Sequence, residues 1–281
     1  MKQSQAKKRD NAMTNKILMG LIALVLGLLF LEILIVHSKN EQQKNASNQV
    51  QTARIMANGD LLYHDGLYMS ALQADGSYDF TENFTYVKPW LKQADLVLGD
   101  FEGTINPDYP LSGYPLFNAP QSVTAAISDA GYDVMDLAHN HILDSGLEGA
   151  FTTADAFKEV GIDPVGVYEN PVRDKAPLFI KNVNGIKVAI LSYAYGFNGL
   201  ESNLTEKEIA NHLSNLDEKR MKVEIERSEK EADVTVIMPQ MSVEYRLEPT
   251  DEQVKLFHKM IDWGADIIFG GHPHVVEPSE V

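Results

Sequence analysis

The residues with the clearest chemical potential are His272 and His274, in the stretch Phe269-Gly270-Gly271-His272-Pro273-His274. They follow an apolar run, Asp266-Ile267-Ile268-Phe269, that reads as a buried strand. In extended backbone, residues two apart point to the same face. The glycines allow a tight turn and a close approach to a bound group. Two imidazoles aimed at one point beyond a strand end suit a metal site. A pair of histidines in an ordinary surface turn has the same spacing, so the rest of the chain must decide.

The same arrangement recurs. One apolar run ends in Gly59-Asp60, with His64 four residues on, and another ends in Gly99-Asp100-Phe101-Glu102-Gly103. A third ends in Ala138-His139-Asn140-His141, followed by Asp144, and a fourth in Pro239-Gln240, with Glu244 and Tyr245 beyond. In open α/β sheets, ligands bind outside the carboxyl ends of the strands, so five such ends imply one shared polar site. Carboxylates supply hard oxygen, and imidazole suits Mn, Fe or Zn. The mixture is enough for one or two divalent ions, which can engage both oxygens of a phosphoryl centre. A single carboxylate between two ions, Asp100 or Glu102, would hold the pair together. His141 is placed as a general acid or as an electrostatic stabiliser of the leaving oxygen. Asp144 joins it as a catalytic candidate, or caps the turn after it. Glu244 and Tyr245 either orient the metal shell or are structural.

The elements that must position these residues alternate. Strands are expected at Ala53–Asn58, Leu96–Leu98, Val134–Leu137, Val188–Tyr193, Val234–Met238 and Ile267–Phe269. Helices are expected at Pro120 to Ala130 and Gly149 to Val160, each stopped by the glycine that follows. Another begins at Thr250, an N-cap before Asp251 and Glu252, with Val254, Phe257 and Ile261 forming its apolar face. This order predicts an α/β domain. The Glu/Lys-rich run from Glu206 to Glu231 reads as a solvated helix. His212 and His258 read as surface residues, and Tyr193 and Tyr195 as core or pocket lining. Phe117-Asn118-Ala119-Pro120 reads first as a helix start.

With 281 residues the chain can bury a substantial core. It has no cysteine, hence no disulfide framework and no thiolate metal site. The formal charge of −16 argues against nucleic acid as a partner. It also means that an anionic substrate needs a local positive centre, which a metal can supply. Residues 17–36 form an apolar run of about 20 residues, the length of a membrane-spanning helix at about 1.5 Å per residue. The preceding Lys7, Lys8, Arg9 and Lys16 predict a cytoplasmic basic tail over 1–16 and everything after Val36 outside the cell membrane. A cleaved signal peptide is the rival, but no A-x-A site follows the run. Residues 37–51 are polar and read as a flexible tether, leaving 52–281 as the folded domain.

The ordered set Gly59-Asp60, Gly99-Asp100-Phe101-Glu102, Asn140-His141-x-x-Asp144, Val243-Glu244-Tyr245 and Gly271-His272-Pro273-His274 resembles the bacterial capsule-synthesis CapA/PgsA family. That family belongs with the calcineurin-like metallophosphatases. The resemblance implies a four-layer α/β/β/α sandwich and a role in making or exporting poly-γ-glutamate, alongside membrane-bound synthase subunits and the anionic polymer itself. It places Asp60, His272, His274 and Asn140 at metal-ligand positions, with His141 as the acid beside them, and leaves Asp100 and Glu102 competing for the bridging role. His64 lies too far from Asp60 for the D-x-H pattern, which weakens its claim as a ligand. Gln240 stands where many relatives have histidine in an H-W-G-x-E-Y context. Its amide oxygen is a weaker ligand for a transition metal, which puts a second ion in question. Relatives continue for several strands beyond the position of Val281, so the domain is expected to be truncated. The expectation is a membrane-anchored capsule-polymer protein with an extracellular metallophosphatase-like hydrolase site. The alternatives are a non-catalytic polymer-binding subunit of the synthase and an extracellular phosphoesterase unrelated to capsule.

Overall fold

The computed structural model describes residues 31–32, 34–37 and 50–281. Most of the expected membrane span and tether lies outside the described residues. Among the described residues, no helix is long and apolar enough to cross a membrane. Thr52–Val281 is one compact unit.

That unit holds two four-stranded sheets. The first contains β1 (Ile55–Leu62), β2 (Leu96–Glu102), β3 (Val134–Asp136) and β4 (Asp163–Val165), in that order and all parallel. The second contains β5 (Ile180–Val183), β6 (Ile186–Ala194), β7 (Val234–Gln240) and β8 (Ile267–Ile268), parallel except for the β5–β6 hairpin. Seven helices accompany them: α1 (Asp65–Ala71), α2 (Lys88–Leu91), α3 (Ser122–Ala130), α4 (Gly146–Glu159), α5 (Glu206–His212), α6 (Glu218–Glu231) and α7 (Asp251–Asp262).

Side-chain alternation along the strands sorts the apolar residues into three cores. Leu96 and Leu98 of β2 face the second sheet, where they meet Val188 and Ile190 of β6 and Val236 and Met238 of β7. Val97 and Phe101, on the opposite face of β2, pack against Val123 and Ile127 of α3 and Phe157 of α4. Outside the second sheet, Leu191, Tyr193 and Ile237 pack against Met221 and Ile225 of α6 and Leu256 and Met260 of α7. The domain is therefore layered helix, sheet, sheet, helix. Asp100 and Glu102 share the parity of Leu96 and Leu98, so they lie on the face toward the second sheet, at the carboxyl end of β2.

Six strands fall where apolar runs predict them, while β4 and β5 escape the pattern. Strand β4 has only three residues with Pro164 in its centre, which an edge strand tolerates. The β5–β6 hairpin turns at Asn184-Gly185, both at positive φ (53° and 90°), as a tight hairpin demands. Helix α3 stops at Gly131 in the left-handed region, φ 108°. Thr250 caps α7 through a reciprocal capping box with Gln253. The charged run from Glu206 to Glu231 is two helices rather than one, and α6 buries Met221, Ile225 and Ser228 against the second sheet. His212 is held rather than free at the surface: its Nδ1 lies 2.6 Å from the Tyr168 carbonyl and its ring packs on Phe151.

Candidate metal centre

Three strands of the first sheet carry a row of carboxylates. A register shift in β1 between Ala57 and Asp60 brings Asp60 opposite Asp100, and Asp100 is in turn opposite Asp136. Glu102 follows at the end of β2, paired with Leu62. Asp100, Glu102 and Asp136 are all buried. Burial, reinforced by Asp136, Asp60 and Glu102, pushes Asp100 well above the ordinary carboxylate range. Burial and then the charge of Asp60 raise Glu102 to about 8, so without a cation this carboxyl carries a proton at neutral pH. Asp136 accepts from the Ala138 N–H at 2.7 Å and from Ser192 Oγ across the sheet interface. Burial still lifts it to about 7.

The second sheet brings nitrogen. Beyond β8 the chain turns through Gly271, whose Cα faces the carboxylates: a Cβ there would lie 2.8 Å from Asp100 Oδ2 and 3.3 Å from Asp60 Oδ1. His272 and His274 are not extended. Both are left-handed, with φ 93° and 55°, an uncommon state for histidine. Their convergence comes from this turn, not from strand alternation. The His272 N–H donates to Asp60 Oδ1 at 3.2 Å, and His274 Nδ1 lies 2.7 Å from Asp60 Oδ2. Burial alone would raise Asp60, but the hydrogen bond and charge of His274, with the His272 N–H, hold it below its ordinary range. The Asp60 hydrogen bond raises His274, while burial lowers His272.

One atom each from Glu102, His272 and His274 lie within 4.8 Å of one another. Glu102 Oε2, Asp100 Oδ1 and His272 Nδ1 are buried without a hydrogen-bond partner. Buried polar atoms left unpaired are costly, and a cation is the group that satisfies a carboxylate and imidazoles together. The residues present therefore fit a divalent ion.

Beside this centre stands a histidine–carboxylate pair. His141 Nδ1 is 2.7 Å from Asp144 Oδ2, and the Phe117 N–H donates to that same oxygen at 2.6 Å. His141 Nε2 is 3.9 Å from Glu102 Oε1. Asp144 thus holds the ring so that Nε2 faces the carboxylates. Phe117 packs edge-on against His141, at 4.7 Å between centroids, and against His64, at 4.8 Å. His64 is exposed at the start of α1 and reaches the site only through that ring.

Gln240 and Asn140 do something that spacing does not reveal. Gln240 Oε1 accepts the Asn140 N–H and Gln240 Nε2 donates to Asn140 Oδ1, both at 2.9 Å. Each end of the Gln240 amide is thus engaged with Asn140, and Gln240 is fully buried. Glu244 and Tyr245 sit on the exposed rim, with the Tyr245 ring 5.6 Å from His274. Three further residues join the site. Asn198 contacts both Asn140 and His141; its Asn-Gly turn after β6 was the available signal. Tyr195, half-exposed, has its ring 4.8 Å from His272. His139 is fully buried, and burial keeps it well below the ordinary histidine range.

A family model described as "Bacterial capsule synthesis protein PGA_cap" matches residues 54–281, most of the chain and all of the site. The chain belongs to this bacterial capsule synthesis family. It is 34% identical over 206 residues to the capsule biosynthesis protein CapA of Bacillus anthracis, covering 70% of this chain and 49% of that protein. It is 28% identical over 278 residues to the PGA biosynthesis protein CapA of Bacillus subtilis (strain 168), covering 98% of this chain and 70% of the relative. The chain thus spans about half the length of the first relative and more of the second. In structure it resembles a Staphylococcus aureus protein described as a 5'-nucleotidase, solved with alpha-ketoglutarate. The TM-score is 0.50 at 13% identity, over 79% of this chain and 46% of that one. That likeness shows a shared fold.

Proposed function

We propose that this chain is a membrane-anchored component of poly-γ-glutamate capsule synthesis or export, with an extracytoplasmic, metal-dependent, phosphatase-like site. The observation that carries the reading is the convergence of Glu102, His272 and His274, with unpartnered buried atoms, beside the His141–Asp144 pair. Glu102, His272 and His274 would hold a divalent ion, with Asp60 orienting His274 and Asp100 lying against the same group. Such an ion would supply Lewis-acid polarisation of a phosphoryl or acyl oxygen. His141, its Nδ1 fixed by Asp144, would deliver a proton from Nε2 to the leaving group. The apolar run over 17–36, preceded by basic residues, supports anchoring with the domain outside and docking to membrane-bound synthase subunits.

A second reading rests on Gln240. With both ends of its amide engaged with Asn140, it keeps only one oxygen lone pair for a further ion. A one-ion site that binds anionic polymer without cleaving it would make the chain an assembly subunit.

Metal content of the full chain in detergent, measured by mass spectrometry beside a Glu102→Ala/His272→Ala control, tests the first reading. About one or two ions per chain, absent in the control, supports it; none in folded protein refutes it. Polymer made by cells carrying His141→Ala then separates the readings. Loss of polymer favours the enzyme. Retained polymer, combined with loss on deleting residues 1–36, favours the subunit.

A further inference from the structure

Two groups of exposed apolar residues stand at opposite ends of the strands. Tyr109, Leu111 and Tyr114 belong to the loop beside Asp144, at the carboxyl ends where the metal centre lies. Tyr86, Val87 and Trp90 lie at the other end, on the helical turn that leads into α2, and are 89%, 46% and 64% exposed. The Trp90 N–H donates to the Val87 carbonyl at 2.9 Å, so residues three and four apart share a face. Phe84 and Leu91 turn inward and are buried, which leaves Tyr86 and Trp90 on the outer side with Val87 at its edge. Apolar residues exposed singly are ordinary, whereas adjacent ones mark an interaction surface. Lys88, paired with Asp129, and exposed Lys92 flank the group. This group is also close to where the chain enters the folded unit. Arg54 Nη1 donates to the Gln93 carbonyl at 3.2 Å, and the Arg54 carbonyl accepts the Asp95 N–H at 2.8 Å. The Thr52 carbonyl accepts from Asn184 Nδ2, in the β5–β6 turn, at 3.1 Å. Thr52 therefore sits at the amino ends of both sheets, next to the segment that follows α2.

We propose that the face formed by Tyr86, Val87 and Trp90 seats the domain on the lipid bilayer, with the metal centre turned away from it. The inference rests on the reading of residues 17–36 as a membrane anchor. The polar run over 37–51 contains 15 residues, and a flexible chain of that length has a root-mean-square span of about 20 Å. A surface tethered so closely meets the bilayer at high effective concentration, so three side chains suffice without strong intrinsic affinity. Indole and phenol rings suit the headgroup level, where one end of the ring is apolar and the other wet. The Lys92 stem can lie along that layer with its ammonium among the phosphates. The loop with Tyr109 and Tyr114 fits the bilayer less well. Strand β1, eight residues long, alone separates the two ends by about 25 Å, so seating that loop requires the tether to run the length of the domain. The docked orientation narrows the substrate. A metal centre held about 25 Å above the bilayer meets polymer that has left the membrane, not a lipid-linked group.

The test is tryptophan fluorescence of the full chain in phosphatidylcholine–phosphatidylglycerol vesicles, made with and without acyl-brominated lipid. The chain has two tryptophans, Trp90 and Trp263, so Trp263→Phe leaves Trp90 as the lone reporter. A second protein, Trp90→Phe/Trp263→Phe/Tyr114→Trp, reports from the opposite end. Thermal melting checks that both fold, and flotation checks that both are anchored. Brominated lipid should lower Trp90 emission at least about twofold, as for an indole at the headgroup level, and leave the Tyr114→Trp reporter unchanged. A chain that does not float overturns the anchor reading and the docking with it. A chain that floats with Trp90 unquenched overturns the docking alone. Blue-shifted but unquenched Trp90 emission also overturns it, because a second copy or a protein partner then covers the face. Quenching of the Tyr114→Trp reporter equal to or greater than that of Trp90 overturns the orientation. The metal content of the chain is independent of all these outcomes.

Discussion

The two sheets bring different chemistry to one edge. The first supplies oxygen from short, buried side chains on rigid parallel strands: Asp60, Asp100, Glu102 and Asp136 lie in register or nearly so. The second supplies nitrogen from a turn beyond its shortest strand, where His272 and His274 sit at positive φ and their rings are 6.0 Å apart. On the oxygen side Asp100, Glu102 and Asp136 resist ionisation; the nitrogen side is strained and nearer to solvent. Neither side is satisfied alone. The carboxyls need positive charge and the imidazoles need an acceptor of their lone pairs, so a cation between the sheets resolves both.

The largest expected effect comes from removing either side's contribution to that cation. Glu102→Ala and His272→Ala should each weaken Mn²⁺ or Zn²⁺ binding about a thousandfold, about 4 kcal/mol. Calorimetry on folded, detergent-solubilised chain measures this. Wild-type affinity in either variant would break the picture of two sheets sharing one ion.

The second effect isolates the oxygen side. Asp136 is raised by burial from its ordinary value to about 7, although Ser192 and the Ala138 N–H pull it down. A carboxyl raised on folding contributes stability that is present below its unfolded pKa and lost as pH rises through the folded value. Metal-free protein should therefore lose stability between pH 4 and pH 8 through this group. Asp136→Asn keeps an oxygen for both donors and has no charge to bury. It should gain about 2–3 kcal/mol on wild type at pH 8 and little at pH 4. Thermal melts across that range, with chelator present, decide it. A gain independent of pH would mean that ionisation is not what the fold resists there.

This contrast also explains what the sequence made legible. The oxygen side was readable because strand parity and strand ends are local facts. Apolar runs located β1, β2 and β3, and the polar residue after each run marked the site. The register that aligns Asp60, Asp100 and Asp136 was not readable, because the β1 irregularity depends on pairing with β2. On the nitrogen side the histidine motif was plain, but its geometry was not. Alternation suggested extended backbone, whereas the turn through Gly271 imposes left-handed residues so that the chain can pass over Asp100 and Asp60. The Gln240 amide's engagement with Asn140 was hidden for a different reason. The two residues are 100 positions apart and meet only when the sheets pack.

That engagement gives the third prediction. Gln240→Ala leaves the buried Asn140 N–H without an acceptor, at a cost of about 1–2 kcal/mol in stability. It also frees Asn140 Oδ1, so metal affinity should fall by about 10–100-fold at most, as for residues that orient ligands. If affinity collapses as far as in His272→Ala, Gln240 is itself a ligand and the nitrogen side extends to β7.

The smallest effect belongs to the rim. Tyr245 is 71% exposed, its ring lies 5.6 Å from His274, and its φ is 60°. Its N–H donates to the Pro273 carbonyl at 2.7 Å, so its backbone, rather than its ring, fixes the turn between the histidines. Asparagine adopts positive φ readily and keeps that N–H. Tyr245→Asn should therefore change metal affinity by less than about threefold, a difference of about 0.7 kcal/mol. A larger loss in the same calorimetric assay would show that the ring shields His274 from water. The nitrogen side would then owe its geometry to packing from the rim as well as to the turn over the carboxylates.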